Sequence, residues 1–471
     1  MIILVLVYSL SRLFFLQPFP VFYDSFEYVQ LAEKLNLSNF RQTIASSHQP
    51  IHTFYFLTIT FLKTLLPFFS TEKILVSISF LFGLLTLIFW YLFLKNFLDS
   101  QKAFFASLYL LLFPYFFLTN TNILYESELL FFQVISLFYY TKALKSPQKQ
   151  RLFLFLSSLF FSFSLLVFPG SLFWLPLFFW LTQQIASKSK KIFFFFSLQA
   201  LFFTFTLDFL LLSSPQTFIL KYQPHLSDFT SSNQGILVFG YRLLRNIFLQ
   251  TLIILSPLGL LLLTISLASL LRQKKLNVFT FVSWFFPAFC LMQFWHSGLW
   301  GRLSLTLVLP ASFFFSQTFT TPFTKIFSSI SLLLFLLPQT FSQTKTPPIY
   351  RYFNLIKDIP NPAIITSDPN RFLYQKNNLP VFVFGPDCNL ASAEEFIKSN
   401  LQKGNTVLID SSGINYPRLQ FDGHFYHPLS LHPRLPPCSQ PLLQKFNQEI
   451  FKKDPSFPQI YFSKLIPKNC P

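Results

Sequence analysis

The sequence has few charged residues for its length. Only 11% of its 471 residues are Asp, Glu, Lys or Arg, whereas 52% are hydrophobic and 70 are Phe. Soluble domains carry about 25% charged residues, so this chain cannot cover a water-exposed surface of matching size. Its apolar runs approach the roughly 20 residues that cross a bilayer. The composition therefore excludes a soluble protein and indicates a helical protein with many membrane spans.

Cysteine is also scarce. The chain has four cysteines and no CxxC pair, which gives a zinc site little support. Three of them, Cys388, Cys438 and Cys470, follow the last long apolar run. A disulfide among these three persists if that segment lies outside the cytoplasm, and the sequence leaves its pairing open.

Acidic residues are half as frequent as basic ones, at 18 against 36. Many basic residues lie in short gaps between apolar runs, which is typical of cytoplasmic loops. These are Lys95, Lys102, Lys142, Lys145, Lys149, Arg151, Lys188, Lys190, Lys191, Arg272, Lys274, Lys275 and Lys325. Of the acids before residue 342, only Asp99 lies in one of these gaps. Charges spread over separate loops do not form a patch that follows a nucleic-acid groove, so a nucleic-acid partner is excluded.

Hydropathy predicts about eleven transmembrane helices. They lie near 1–17, 73–95, 103–121, 129–144, 151–168, 170–186, 191–212, 247–271, 276–294, 303–320 and 326–341. Counting 50–69 as a twelfth span would put every basic cluster outside. We therefore expect a half-inserted helix there, on the outer face, with His48, His52 and Lys63 reaching water; the alternative is an ordinary span. An odd number of spans then places the C-terminal segment outside the plasma membrane.

The first apolar run, 1–17, is short enough to raise the alternative of a cleaved signal peptide. It has no basic beginning, and no small-residue cleavage pattern precedes Asp24. We therefore expect a retained span whose Arg12 extends to the outer interface.

The composition changes after Phe341, which predicts a transmembrane domain at 1–341 and a small extracytoplasmic α/β domain at 342–471. Short apolar runs bounded by Pro and Gly predict buried strands. The runs are Ala363 to Thr366, Val381 to Phe384 and Thr406 to Ile409. A capping box beginning at Ser392 predicts a helix that Gly404 ends.

Most remaining acids lie in two loops that the topology places outside. The first loop contains Asp24 and Glu27, and the second contains Glu126 and Glu128. After Asp24, apolar residues at three-residue spacing predict a helix lying on the membrane. They are Phe26, Val29, Ala32 and Leu35. Asp24 alone fits an N-cap equally well. Together the two loops can meet over one cavity.

Several motifs carry a family resemblance. They are Asp24 at the start of a membrane-parallel helix, His48-Gln49-Pro50, the S-E-x-L-F pattern from Ser127 to Phe131, and the segment from Trp300 to Pro310. Together they resemble the GT-C superfamily of membrane glycosyltransferases, in particular bacterial relatives of protein O-mannosyltransferases and of lipid A aminoarabinose transferase. The resemblance implies an all-α polytopic GT-C-like fold and a hexosyl- or pentosyltransferase. Such an enzyme takes its sugar from a polyprenyl-phosphate donor in the bilayer and passes it to a hydroxyl of a lipid, glycan or protein.

The resemblance also implies roles for the acids. Asp24 matches the general base of an inverting transfer, and Glu128 matches a second acid that orients donor or acceptor hydroxyls. Glu126 is an alternative to Glu128, since the register of Glu-Ser-Glu is open. Glu27 and His48 are further positioning candidates.

The donor phosphate needs a cation, and arginine binds phosphate oxygens bidentately. By resemblance Arg302 is the first candidate, with Arg242 and Arg245 second; the alternative for each is an interfacial anchor. Gln49 departs from the family, which has Pro or Lys there. The sequence assigns no metal ligand, and a divalent cation held by two carboxylates and His48 remains an alternative.

Two other classes of protein remain as alternatives. A multi-pass transporter or lipid flippase would bind its substrate near the midplane, often between related halves. A non-catalytic envelope assembly protein would need no convergence of Asp24 and Glu128. The acids in outer loops, the lack of matching halves and the outer domain favour the enzyme.

Overall fold

The computed structural model describes residues 1–17, 20, 23–47, 52–185, 190–212, 236–294, 305–343, 355–366, 379–384, 388–410, 417–421, 426–430, 439–453 and 461–467. Two compact units emerge. One comprises Met1–Phe19 and Leu31–Thr340, and the other comprises Pro20–Gln30 and Phe341–Pro471. The division of the chain into domains at 1–341 and 342–471 stays a prediction.

Helices follow one another along the first 343 residues. They are α1 (Ile2–Leu13), α2 (Tyr23–Lys34), α3 (Phe40–Ala45), α4 (Thr53–Leu65), α5 (Thr71–Leu94), α6 (Ser100–Leu112), α7 (Pro114–Thr121), α8 (Glu126–Lys145), α9 (Gln150–Val167), α10 (Leu175–Ile185), α11 (Lys190–Leu212), α12 (Ile236–Arg272), α13 (Val278–Phe294), α14 (Val308–Thr318) and α15 (Pro322–Gln343). Short 3₁₀ helices at Pro147–Lys149 and Pro169–Trp174 precede α9 and α10. Each of the eleven predicted spans overlaps at least one of these helices, and the protein is a polytopic helical membrane protein.

Fewer helices meet a strict length criterion for a span. Among the described residues, four are long and apolar enough, and α6 with α7 makes a fifth if the pair, bent by 67°, is one span. Helix α8 has 20 residues but carries two glutamates in its first turn and two lysines in its last. α12 is kinked at Ser256, just before Pro257. Four other predicted spans coincide with apolar helices of 10–17 described residues, which are too short for the criterion.

Helix α4 occupies the segment predicted to be half-inserted. Its 13 residues extend about 20 Å, less than the roughly 30 Å of the hydrocarbon core, and its half-inserted placement stays a prediction. The expectation that His52 reaches water is wrong, because its side chain is 3% exposed. Lys63 donates to the backbone carbonyls of Ala32 and, at 3.4 Å, of Glu33. The ammonium group therefore caps the C-terminal end of α2, where carbonyls lack helical partners.

Arg12 in α1 is fully buried, so the prediction that it extends to the interface is wrong. Its Nη2 donates to the carbonyl of Leu111 at 2.6 Å. The guanidinium carbon lies 5.0 Å from the ring centroid of Tyr8 and 4.9 Å from that of Phe117. The chain bends before Pro114, which has no N–H to continue the helix, and carbonyls at the break need other donors. Arg12 supplies one of these donors.

The C-terminal unit contains a five-stranded sheet in the order β2-β1-β3-β7-β6 and a separate hairpin of β4 and β5. The strands are β1 (Pro362–Thr366), β2 (Val381–Val383), β3 (Thr406–Asp410), β4 (Pro417–Phe421), β5 (Tyr426–Ser430), β6 (Phe446–Lys453) and β7 (Tyr461–Pro467). β1 pairs in parallel with β2 and β3, while β7 pairs antiparallel with β3 and β6. The three predicted strands are confirmed, and the antiparallel addition of β6 and β7 was not predicted.

Helix α16 (Leu390–Gln402) lies between β2 and β3 in the chain, as expected, and a four-residue helix α17 (Gln440–Leu443) precedes β6. The cap of α16 differs from the prediction. Asn389, not Ser392, is the N-cap, and its Oδ1 accepts from the Ser392 N–H at 3.0 Å. Gly404 follows the helix with φ +76°, which confirms its role at the end.

Two other features stabilise this unit. Cys388 is disulfide-bonded to a partner outside the described residues, as predicted for this segment. Cys290, which lies in α13 of the other unit, is a free thiol. Glu394 in α16 forms ion pairs of 2.8 Å with Lys398 and 2.7 Å with Lys445. Hydrogen bonds from these lysines lower the pKa of Glu394 to about 2.

Candidate functional site

The first turn of α8 carries the predicted acids Glu126 and Glu128, which are 1% and 0% exposed. Thr58 of α4 donates its hydroxyl to Glu128 Oε1 at 2.9 Å. The second oxygen, Oε2, is buried and has no hydrogen-bond partner among the described residues. A buried carboxylate oxygen without a donor is costly, so this atom is prepared to accept a hydrogen bond or bind a cation.

The two glutamates do not occupy equivalent positions. Residues two apart on a helix face different directions, so Glu126 and Glu128 cannot substitute for each other without a turn of α8. Glu128 faces α4 through Thr58. Glu126 lies within electrostatic reach of Tyr115 in α7 and of the preceding Tyr125. The structure therefore gives the two acids separate neighbours.

The turn between α7 and α8 is held by hydrogen bonds from both sides. Ser127 donates to the carbonyl of Thr119 at 3.0 Å and to Oδ1 of Asn120 at 2.8 Å. Ser79 of α5 donates to the carbonyl of Leu124 at 2.9 Å and accepts from its N–H at 3.3 Å. All five residues are buried. These bonds set the position of the first turn of α8, and with it the two acids.

Small residues on α5 allow this close approach. Ser79 and Gly83 are four apart, which places them on one face of the helix. A Cβ at Gly83 would overlap the side chain of Asn120 and the hydroxyl of Tyr8. This is the small-xxx-small pattern of tightly packed membrane helices. The pattern stands in the sequence and could have identified the contact between α5 and α7.

His52 joins α4 to α9. Its Nδ1 lies 2.7 Å from the carbonyl oxygen of Val167. A carbonyl oxygen can only accept, so Nδ1 is the donor. The ring centroid of His52 lies 4.0 Å from that of Tyr125 and 6.3 Å from that of Phe168. Helix α9 ends at Val167 because Pro169 follows, leaving that carbonyl available. His52 thus places α4 beside the residue that precedes Glu126.

The other predicted site residues lie elsewhere or outside the described side chains. Asp24 lies in the first turn of α2, but its side chain is not among those described. The predicted apolar face of α2 is buried within the protein, and the predicted contact of this helix with the membrane stays a prediction. Glu27 is partly buried in the same helix. Arg242 and Arg245 lie in α12 with side chains outside the described set, and His48 and Arg302 lie outside the described residues.

The structure therefore places the two acids of the second loop in one helical turn, facing different neighbours. The roles of the first-loop acids, His48 and the arginines stay predictions. Sequence analysis missed Thr58, whose place next to Glu128 carries no local signal. Within the described part of the chain, no group of three His, Cys, Asp or Glu side chains is arranged to hold a metal ion.

Solved structures that resemble this fold with a TM-score above 0.5 include the following two. ArnT from Cupriavidus metallidurans bound to undecaprenyl phosphate matches with a TM-score of 0.57 at 10% identity, over 98% of this chain and 97% of that one. The Archaeoglobus fulgidus oligosaccharyltransferase in complex with Zn and sulfate matches with a TM-score of 0.51 at 12% identity, over 87% and 67%. At these identities the likeness establishes the fold. No family model and no curated protein sequence matches the chain.

Proposed function

We propose that this chain, whose fold is that of the GT-C membrane glycosyltransferases, transfers a sugar from a polyprenyl-phosphate donor to a hydroxyl acceptor. The observation that carries the proposal is the match over nearly all of both chains to ArnT, a structure that contains undecaprenyl phosphate. A polyprenyl phosphate is therefore the donor carrier we infer. The buried acids at the start of α8 supply the polar chemistry expected of such a site.

In the proposed reaction Asp24 takes the proton of the acceptor hydroxyl. The acceptor oxygen attacks the anomeric carbon, the bond from that carbon to the phosphate oxygen breaks, and the configuration inverts. Glu128 orients a sugar or acceptor hydroxyl through Oε2, since Thr58 already holds Oε1. Hydrogen bonds are stronger in a dry environment, so the complete burial of Glu128 makes this contact effective.

The phosphate leaving group needs positive charge as its bond to the sugar breaks. We assign this role to Arg302, with Arg242 and Arg245 as second candidates. Glu27 and His48 are proposed to position the donor or acceptor. Glu126 faces other neighbours than Glu128 and is proposed as a separate positioning residue.

We further propose that the site and the C-terminal unit lie on the outer side of the plasma membrane. The disulfide of Cys388 supports this, because disulfides persist in oxidising compartments. The basic loops support it as well, since Lys and Arg are retained in the cytoplasm.

A divalent cation is a further proposal for the same site. Glu128 Oε2 is a carboxylate oxygen of the kind that hard cations take as ligand, and Asp24 and His48 are the other candidate ligands. When bound, such an ion would polarise donor oxygens.

The experiment is transfer from defined polyprenyl-phosphate sugars by the purified full-length protein, with and without a chelator. We expect Asp24→Asn to abolish transfer and Glu128→Gln to reduce it strongly. Glu72→Gln is the matched control, because Glu72 also lies in the first turn of a membrane helix. Its activity should equal that of the parent protein.

Undiminished transfer by Asp24→Asn would remove Asp24 as the base while leaving the enzyme class intact. Failure to transfer from any polyprenyl-phosphate sugar would contradict the proposed function itself. Loss of activity on chelation, restored by added metal, would support the cation.

A further inference from the structure

A cavity lies at the opposite end of α8 from the acids. It has a volume of about 710 Å³ and opens beside the end of α8, the 3₁₀ turn that follows and the beginning of α9. Its walls include Phe138, Tyr139 and Phe153, and three lysines surround it: Lys142, Lys145 and Lys149. None of the described residues that line it is acidic.

Two of the lysines, Lys142 and Lys145, contact neutral groups. Lys145 donates to the backbone carbonyl of Asn96, at the end of α5, and its ammonium lies 5.3 Å from the ring centroid of Phe97. The ammonium of Lys142 lies 5.6 Å from the ring centroid of Phe138. Carbonyls and aromatic faces orient a cation without neutralising its charge. Lys142 and Lys145 are also close enough for their charges to repel each other. Among the residues that the structure describes, no ion pair neutralises these lysines, so the cavity is positively charged.

The position of the cavity indicates where its ligand resides. Helix α8 has 20 residues, which extend about 30 Å, the thickness of a bilayer's hydrocarbon core. Glu126 begins this helix and Lys145 ends it. The cavity thus lies at the membrane surface opposite the acids, at the depth of lipid headgroups. Its aromatic wall suits the apolar part of a lipid, and its lysines suit a phosphate.

We propose that this cavity binds the phosphate headgroup of an anionic membrane lipid. The ligand chemistry is a phosphate monoanion or dianion beside an apolar chain, so the lipid, and not free phosphate, is the source. Each lysine near a membrane surface strengthens binding of an anionic lipid about fivefold, so three together give roughly 100-fold. The site is independent of the reaction proposed for the acids.

The test measures binding of phosphatidylglycerol to the purified full-length protein by native mass spectrometry, with phosphatidylcholine and inorganic phosphate as the other probes. The variant carries Lys142→Gln, Lys145→Gln and Lys149→Gln. The matched control carries Lys190→Gln, Lys191→Gln and Lys275→Gln, which remove the same charge from exposed lysines of other basic loops. Thermal unfolding midpoints check that both fold. If the triple variant does not fold, Lys149→Gln alone replaces it, because Lys149 is exposed in a short turn.

We expect phosphatidylglycerol to bind the parent and the control alike, and the cavity variant roughly 100-fold more weakly, or about fivefold for Lys149→Gln alone. Phosphatidylcholine should bind weakly to all. An equal loss in both triple variants would show an effect of general charge and overturn the site. Binding unchanged in the cavity variant would overturn it as well. Displacement of the lipid by equimolar inorganic phosphate would assign the site to a soluble anion and overturn the lipid proposal.

Discussion

Replacing Gly83 with alanine tests the packing that positions the acidic turn. The new Cβ would overlap the side chain of Asn120 and the hydroxyl of Tyr8. Both groups are engaged. Asn120 Oδ1 accepts from Ser127 at 2.8 Å, and the Tyr8 hydroxyl donates to the carbonyl of Phe80 at 2.7 Å. The substitution therefore presses on two existing hydrogen bonds at once.

Two effects of opposite sign compete at this position. In an exposed helix, Gly to Ala stabilises by about 1 kcal/mol because glycine loses more backbone entropy on folding. Overpacking a buried site costs about 1–3 kcal/mol, and a weakened hydrogen bond costs about 0.5–1.5 kcal/mol more. The steric effect is larger, so we expect Gly83→Ala to destabilise the protein by about 0.5–3.5 kcal/mol.

The measurement is the thermal unfolding midpoint of the purified protein in detergent, which should fall in Gly83→Ala. Asn120→Ala removes the overlapping amide, so the double variant Gly83→Ala, Asn120→Ala should lose less than the sum of the single losses. A higher midpoint for Gly83→Ala would refute the packing described here, because helix propensity would then have decided the sign. Additive losses in the double variant would show that Asn120 is not the obstacle.

Two further predictions concern single polar contacts. Thr58→Val removes the donor to Glu128 with little change of volume. A hydrogen bond to a charged group is worth about 1.5–3 kcal/mol, so kcat/KM for transfer should fall about 10- to 150-fold. Thr58→Ser keeps the hydroxyl and should be near normal; equal activities of the two variants would contradict the contact. In the C-terminal unit, Lys398 and Lys445 lower the pKa of Glu394 from 4.5 to about 2. The contribution of these ion pairs to the free energy of unfolding is therefore present above about pH 4.5 and is lost as the pH falls towards 2. Glu394→Gln should unfold at a lower temperature than the parent protein at neutral pH and at the same temperature near pH 2. If the difference in unfolding temperature persists near pH 2, these ion pairs are not its cause.

Much of the fold follows from local patterns. Long apolar runs predicted eleven spans, and each of them overlaps an observed helix. The physical reason is that backbone N–H and C=O groups in hydrocarbon must hydrogen-bond within their own segment, which a helix allows. Short apolar runs predicted β1, β2 and β3 for a similar reason, since strands buried on both faces are continuously apolar. The cap of α16 was missed because Asn389 and Ser392 are both good caps within one turn. The choice depends on where the backbone leaves the helical conformation.

The contacts of buried polar groups did not follow from such patterns. Arg12 was expected at the interface because a lone arginine near the end of a span usually extends to water. Its burial depends on the break before Pro114 in another part of the chain, which provides a carbonyl acceptor. His52 was expected in water because its helix was predicted to lie half-inserted on the outer face, and it instead donates to a carbonyl 115 residues away.

The sequence by itself determined the class of protein and the positions of its membrane helices, because apolar length is a property of short segments. The side of the membrane on which each loop lies stays a prediction from the placement of lysines. The sequence also singled out Glu128 as a candidate through a local motif. Only the tertiary structure decided which oxygen of that carboxylate remains for a ligand. The donor to the other oxygen, Thr58, lies 70 residues earlier in the chain. Their contact exists because α4 packs beside the beginning of α8, which no local pattern encodes.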